Sequence, residues 1–204
     1  MKKVKIIIAD VNDFIEDVEK MLTEIAPCYV EKYQKHKIQK DKVQEALSGY
    51  LLKHCLGVAR DEQLSYNEYQ KPYLTSGEPF FNLSHSGDYV VLAVADCEVG
   101  VDVEKTRKCH EATVKKVFSE KQKTELAKAS EEARDEAFTK IWTECESVLK
   151  LQGIGFSNGW SNIPVEEHPI SVIKWNDYFI ACATAEEVIV ETEQITRTAS
   201  LIVQ

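Results

Sequence analysis

The pattern of apolar and polar positions predicts a chain that mixes strands with helices. A short β-branched run at 3–9 is typical of a first strand, and residues 88–96 are almost wholly apolar, as in a central strand. Other strands are predicted at 79–83, 99–104, 170–175, 178–184 and 187–191. Apolar residues at helical spacing predict helices over 13–25, 41–56 and 133–151.

Capping residues predict where one helix begins and where another ends. Ser119 followed by Gln122 fits a capping box for a short helix that runs to about residue 128. Gly153 and Gly155 are expected to end the long helix. Helices followed by strands occur twice in this order, which predicts an α+β fold of two similar halves, residues 1–99 and residues 100–204, paired as an intramolecular pseudo-dimer.

Composition narrows the class of protein. The chain has 204 residues, 44% hydrophobic, enough for a sizeable core. Its net charge of −9 disfavours a general nucleic-acid binder. No apolar run approaches the roughly 20 residues of a membrane span, and the N-terminal segment reads as a strand rather than a signal peptide. Six cysteines without a C-x-x-C pair fit reduced thiols, so a cytoplasmic location is expected.

Acidic residues on the strand at 99–104 are the strongest functional signal. Asp102 and Glu104 are two residues apart and therefore point to the same face of the strand. On the long helix, Glu146 and Lys150 are four apart and share a face. Three carboxylates that converge would repel unless a hard cation lies between them, which predicts a metal site that handles phosphate. The alternative is an ordinary polar strand beside a routine Glu–Lys helix pair.

Residues 80–87, FFNLSHSG, contain an adjacent serine and histidine. They do not form the G-x-S-x-G elbow of a serine hydrolase, and neighbours in an extended segment point apart. We interpret them as a turn whose hydroxyls and imidazole bind phosphate, against the alternative of a turn that happens to contain histidine. Neither a Walker-type loop nor a dinucleotide-binding G-x-G-x-x-G unit is present.

Lysines are concentrated in two segments of this acidic chain. Five lie in 31–42, and a second basic zone runs from Lys105 to Lys123. Solvated helix faces would explain both. The functional interpretation is local attraction of an anion.

Together these segments resemble the 4′-phosphopantetheinyl transferase superfamily, in its larger, Sfp-like class. Residues 99–104, VGVDVE, match the family's (I/V)-G-(I/V)-D-x-E strand completely. Residues 142–150, WTECESVLK, match the W-(S/T/C)-x-K-E-(S/A)-x-x-K helix at every anchor but one. Upstream, residues 71–74, KPYL, and residues 81–86, FNLSHS, look like the family's K-P and F-N-(L/I)-S-H-S segments in the same order.

The resemblance implies an enzyme that transfers the 4′-phosphopantetheine arm of coenzyme A to a serine of an acyl, peptidyl or polyketide carrier protein and releases adenosine 3′,5′-bisphosphate. Carried over by position, Asp102, Glu104 and Glu146 would hold Mg²⁺, Glu146 would act as general base, and Lys150 would bind the pyrophosphate. Coenzyme A would contact the remaining residues of the implied site: Lys32, Lys35, Lys42, Lys71, Pro72, Ser84 and His85. The length favours a monomer over the short trimeric synthases of the superfamily.

Two departures from the family pattern bear on activity. Cys145 occupies the position of a lysine, although its place on the apolar face of the helix also suits core packing. Gln44 and Glu45 stand where the family has an arginine for the 3′-phosphate of coenzyme A. These departures support an alternative, a non-catalytic coenzyme A or carrier-protein binding module. Another metal-dependent phosphoryl-transfer enzyme, such as a nuclease, is disfavoured by the net charge of −9.

Overall fold

Three sheets and seven α-helices make up the computed structural model over the residues it describes, 1–154 and 163–197. The strands are β1 (Lys3–Asp10), β2 (Leu64–Tyr66), β3 (Pro72–Leu74), β4 (Phe80–Ser86), β5 (Tyr89–Ala95), β6 (Val99–Lys105), β7 (Ile170–Trp175), β8 (Tyr178–Thr184) and β9 (Ile189–Ile195). The helices are α1 (Val11–Phe14), α2 (Val18–Glu24), α3 (Pro27–Lys35), α4 (Gln39–Leu56), α5 (Glu111–Val117), α6 (Glu120–Ala127) and α7 (Arg134–Gln152). The mixed α+β class is therefore confirmed.

The two larger sheets repeat one arrangement. The first sheet has the order β4-β5-β1-β9 and the second has the order β6-β8-β7. In each, a leading strand is followed by helices and then by an antiparallel hairpin whose second strand pairs with the leading strand. β2 and β3 form a separate two-stranded sheet between α4 and β4.

β9 returns to the first sheet from the far end of the chain. It pairs parallel with β1, and Lys3 and Lys5 of β1 form ion pairs with Glu191 and Glu193 of β9. A boundary at residue 100 therefore falls beside the start of β6, but the sheet built by residues before it is completed by residues after it.

The two faces of the strands contribute to different parts of the hydrophobic core. On β1, Ile7 and Ala9 pack with the helices of the first half, while Ile6 and Ile8 on the opposite face pack against the second sheet. Because both faces of β1 are covered from Ile6 to Ala9, the strand is continuously apolar over those residues. α7 covers the outer face of the second sheet, where Val148 and Leu151 contact Ala183 of β8.

Several predicted boundaries are confirmed. Ser119 and Gln122 form the reciprocal capping box of α6. Gly153 ends α7 in the left-handed conformation, with φ of 65°. Gly155 lies outside the described residues.

All six cysteines are free thiols, and no described helix has the length and apolar character needed to cross a bilayer.

The turn predicted within residues 80–87 is wrong for residues 80–86, whereas the strand predicted at 79–83 is confirmed. Residues 80–86 form β4, and the turn follows it at Gly87 and Asp88, with Gly87 at φ of 56°. Pairing with the apolar strand β5 also holds residues 84–86 in the extended form, which the local sequence did not predict. α3 and the β2–β3 pair were also missed, because each is too short to show a clear period.

Candidate active site

β6 and α7 bring the predicted acidic residues together. The two elements are in close contact because Gly100 has no side chain: a Cβ there would lie 2.1 Å from the backbone nitrogen of Leu151 and 2.2 Å from the carbonyl oxygen of Ser147. Alternation along β6 then places Asp102 and Glu104 on the same face as Gly100, toward α7. The glycine of the VGVDVE segment is thus explained by helix-to-strand packing.

Asp102 is the most buried member of the group, with 4% of its surface exposed. Its Oδ1 accepts hydrogen bonds from Lys150 Nζ at 2.7 Å and from Ser84 Oγ at 2.9 Å. Its Oδ2 is buried and has no hydrogen-bond partner. An unsatisfied buried carboxylate oxygen is costly, which marks this atom as the place where a further positive or donor group would bind.

Glu104 is held by three groups from different elements. Trp142 Nε1 and Ser86 Oγ each donate to it at 3.2 Å, and an Arg107 guanidinium nitrogen lies 3.7 Å from Oε1. The guanidinium also stacks over the Trp142 ring, 5.0 Å from its centroid. Burial, and then the charge of Asp102, raise the pKa of Glu104 above its usual value.

Glu146 on α7 lies within electrostatic reach of both strand carboxylates. Burial is the main cause that raises its pKa to about 8, and the charges of Asp102 and Glu104 raise it further, against the opposing effect of Lys150. A carboxylate whose pKa lies near neutral pH is matched to the work of a general base. The predicted group of Asp102, Glu104, Glu146 and Lys150 is thus one electrostatic unit.

The described side chains do not yet form a coordination sphere. No set of three His, Cys, Asp or Glu side chains within residues 1–154 and 163–197 is arranged to hold a metal ion. The donor chemistry nevertheless fits a hard cation, because the negative charge of Asp102 raises the pKa of both Glu104 and Glu146 and because Asp102 Oδ2 has no partner.

The predicted coenzyme A residues occupy several environments. Ser84 is buried against Asp102, whereas His85 Nε2 lies 3.9 Å from Glu45 Oε1. Glu45 also lies 3.4 Å from His36, so one carboxylate is shared by two imidazoles. Burial lowers the pKa of His85, and the glutamate partly offsets this.

Three lysines of the 31–42 segment contact side chains of α3. Lys32 Nζ lies 4.4 Å from the centroid of the Tyr29 ring, Lys42 Nζ lies 5.3 Å from that of Tyr33, and Lys35 pairs with Glu31 at 3.7 Å. The structure thus places these ammonium groups along α3 and the start of α4.

Lys71 is directed into the protein. Its Nζ donates to the carbonyl oxygens of Leu151 at 3.0 Å and Val99 at 3.2 Å, and burial lowers its pKa. Lys71 and Pro72 still line two clefts, one of about 520 Å³ beside β3 and β4 and one of about 220 Å³ that also includes Lys150.

Cys145 faces away from this site. It is 1% exposed in the apolar cluster between α5, α6 and α7, and Gln122 Nε2 donates to its Sγ at 3.3 Å. The core-packing interpretation of Cys145 is therefore confirmed. Sequence reasoning did not assign Arg107, Ser86 or Trp142 to the site, although the tryptophan is an anchor of the helix motif and Ser86 follows Ser84 at strand spacing.

Comparison with known proteins agrees with the motifs. Residues 98–196 match the family model of the 4′-phosphopantetheinyl transferase superfamily. The chain is 27% identical over 161 residues to the 4′-phosphopantetheinyl transferase Sfp of Bacillus subtilis, covering 75% of this chain and 71% of that protein. It is 34% identical over 108 residues to AcpT of Salmonella typhi, covering 51% and 55%.

A third relative, the transferase psf-1 of Bacillus pumilus, is 39% identical over 82 residues, which is 40% of this chain and 35% of that protein. For two of these three relatives, the aligned part is therefore about half of the relative's length or less. The family model covers β6 and α7, the two elements that carry the acidic group. By the family model and these relatives, the chain is similar to members of the 4′-phosphopantetheinyl transferase superfamily over the part that carries the acidic group.

Proposed function

We propose that this chain transfers the 4′-phosphopantetheine group of coenzyme A to a serine of a carrier protein and releases adenosine 3′,5′-bisphosphate. The observation that carries the proposal is the acidic group of β6 and α7, in which Asp102, Glu104 and Glu146 lie beside Lys150. The relatives support it, since they are named as 4′-phosphopantetheinyl transferases.

The proposed reaction is a single displacement at phosphorus. The serine oxygen of the carrier attacks the β-phosphorus of coenzyme A, and the bond to the bridging oxygen breaks so that the nucleotide leaves with the electron pair. Glu146 takes the serine proton, a role supported by its place beside the strand carboxylates, where burial and their negative charge favour proton uptake by raising its pKa. Lys150, half-buried between Asp102 and Ser84, is positioned to donate to a phosphate oxygen.

Asp102, Glu104 and Glu146 are the residues proposed to hold Mg²⁺. A bound Mg²⁺ would neutralise the charge that builds up on the pyrophosphate oxygens. The partnerless Asp102 Oδ2 and the raised pKa values of Glu104 and Glu146 support a cation here.

Coenzyme A is proposed to bind along the clefts lined by Lys71 and Pro72, with Lys32, Lys35 and Lys42 supplying positive charge. Of the two residues expected at the 3′-phosphate, His85 is better placed than Ser84, whose hydroxyl already serves Asp102 and Lys150. Glu45, whose carboxylate is shared by His85 and His36, would weaken that contact.

The repeated strand order of the two sheets supports the pseudo-dimer, whose site would lie where the halves meet. We propose that the protein works as a monomer, because β6 and α7 of one chain supply all of the acidic group. Six free cysteines support a reducing compartment, the cytoplasm.

The test is the intact mass of an apo carrier domain after incubation with this protein, coenzyme A and Mg²⁺. A gain of one phosphopantetheine group that is abolished by EDTA is expected. The alternative, a non-catalytic binding module, is favoured by Glu45 beside His85. It predicts that coenzyme A binds while acyl, peptidyl and polyketide carriers all keep their apo mass.

A further inference from the structure

β4 and β6 are edge strands of different sheets, and side chains join them. In the sheet orders β4-β5-β1-β9 and β6-β8-β7, each has one edge that no described strand covers. Every second residue of β4 accepts a hydrogen bond from a backbone N–H of β6. The three bonds run from Val101 N to Asn82 Oδ1 at 2.9 Å, from Val103 N to Ser84 Oγ at 3.3 Å and from Lys105 N to Ser86 Oγ at 3.4 Å.

We call Asn82, Ser84 and Ser86 the polar ladder. The residues are two apart, so they share one face of β4, and each meets a β6 residue two further along. Some backbone N–H groups of β6 do not bond to β8, and the ladder accepts hydrogen bonds from them. Buried backbone donors require such partners. It therefore joins the first half of the chain to the strand that carries the acidic group.

Two rungs of the ladder also touch the carboxylates. Ser84 Oγ donates to Asp102 Oδ1 at 2.9 Å while it accepts from Lys150 Nζ at 2.7 Å. With the bond from Val103, its one donor and two acceptor positions are all used. Ser86 Oγ donates to Glu104 Oε2 at 3.2 Å. Each hydroxyl thus binds a carboxylate and the backbone N–H that follows it.

We infer that Ser84 and Ser86 are positioning residues that fix the orientation of Asp102 and Glu104 for cation binding, while Asn82 serves the backbone alone. The inference rests on the proposed metal site. Each serine hydroxyl is hydrogen-bonded both to the β6 backbone and to a β6 carboxylate, so it restricts the rotamer of that carboxylate. Mutation of a residue that holds a metal ligand in this way typically lowers metal affinity by about 10–100-fold.

The ladder supplies its own internal comparison. Asn82→Ala, Ser84→Ala and Ser86→Ala each remove one rung to β6, but only the two serine variants also release a carboxylate. Ser86→Thr keeps the hydroxyl at a half-buried position. Ser48→Ala is the matched control, because Ser48 is a buried serine whose hydroxyl donates to the Gln44 carbonyl within α4.

The experiment titrates each full-length variant with Mn²⁺, follows free Mn²⁺ by electron paramagnetic resonance, and records thermal unfolding in parallel. Ser84→Ala and Ser86→Ala are expected to bind Mn²⁺ about 10-fold or more weakly than the wild type. Ser86→Thr should restore the affinity. Asn82→Ala and Ser48→Ala should keep it within about threefold, even where they unfold at lower temperature.

Each other outcome overturns the inference in a recognisable way. If all three ladder variants lose stability and keep wild-type Mn²⁺ affinity, the ladder is structural only and the proposed function is untouched. Equal loss of affinity in Asn82→Ala would show that strand placement, not carboxylate orientation, sets binding. A wild-type protein that binds no Mn²⁺ overturns the proposed metal site together with this inference.

Discussion

Asp102 shows how one residue joins both halves of the chain. Its Oδ1 binds Lys150 of α7 and Ser84 of β4, while its Oδ2 is buried without a partner. Removing one member of such a buried pair leaves the other uncompensated. The partnerless Oδ2 therefore supports the proposed cation site at Asp102.

Cys145 occupies a position where the family pattern has lysine, and its replacement tests whether that position contributes to the site or to the core. Cys145→Lys is expected to lower the free energy of unfolding by about 2 kcal/mol or more, because the ammonium would enter an apolar cluster. The transfer rate is not expected to rise. Urea unfolding and the carrier-mass assay measure the two effects.

Cys145→Ser is the matched control, since it keeps a small polar partner for Gln122. A lysine variant that is as stable as the wild type and transfers faster would show that position 145 reaches the phosphates.

The sequence predicted which acidic residues come close together but not which other groups they contact. Strand and helix spacing alone put Asp102 with Glu104 and Glu146 with Lys150. The carboxylate shared by His36 and His85 was not predictable, because Glu45 is 40 residues from His85 along the chain and no period links them.

At the scale of elements, Gly100 controls how closely α7 lies on β6. Gly100→Ala is expected to destabilise the protein by about 3 kcal/mol or more, since its Cβ would overlap backbone atoms that cannot move independently. Gly57→Ala is the control: its φ is 71° but nothing lies within 4 Å, so only backbone strain of about 1 kcal/mol is expected. Urea unfolding compares them, and equal losses would contradict the close contact.

Asp88 connects the β4–β5 turn to both halves. Lys40 of α4 donates to Oδ1 at 2.5 Å, and Tyr178 of β8 donates to Oδ2 at 2.9 Å. These two bonds lower the pKa of Asp88 from 3.8 to about 2. The ionised carboxylate therefore favours the folded state above about pH 4, and this contribution is lost as the pH falls toward 2.

Asp88→Asn should accordingly be less stable than the wild type at pH 7, and the difference should shrink as the pH falls through this range. Urea midpoints at pH 7 and near pH 2 measure it. A difference that stays constant with pH would show that the charge of Asp88 does not contribute.

Long periodic elements were predictable and short paired ones were not. α4, α7 and strands β5 to β8 carry periods long enough to read. The end of β4 was misread as a turn because Ser84 and Ser86 are polar and bond to β6, although Phe81 and Leu83 on the other face of the strand pack in the core.

On the scale of the whole molecule, two sheets of like order pack face to face between two layers of helices. The repeated element order predicts two similar halves, and this stays a prediction that the like strand orders of the two sheets support. The parallel pairing of β9 with β1 could not be predicted, because nothing local specifies which edge a strand joins after nearly the whole chain has intervened.

The basic zone from Lys105 to Lys123 is expected to dock the carrier, since carrier domains are usually acidic and this chain is acidic overall. Reversal of Lys115 and Lys116 on α5 to glutamate should raise the KM for the carrier several-fold and leave coenzyme A binding unchanged. Reversal of Lys20 and Lys53, on α2 and α4, is the charge-matched control. Equal losses for carrier and coenzyme A would contradict a docking role.

The central claim is that the acidic group of β6 and α7 performs the transfer, and Glu146→Gln tests it most directly. The measurement is the rate at which an apo carrier gains phosphopantetheine mass at saturating coenzyme A and Mg²⁺, with thermal unfolding as the control for folding. A folded variant slowed by about 100-fold or more is the predicted result. A folded variant that transfers at the wild-type rate would contradict the account.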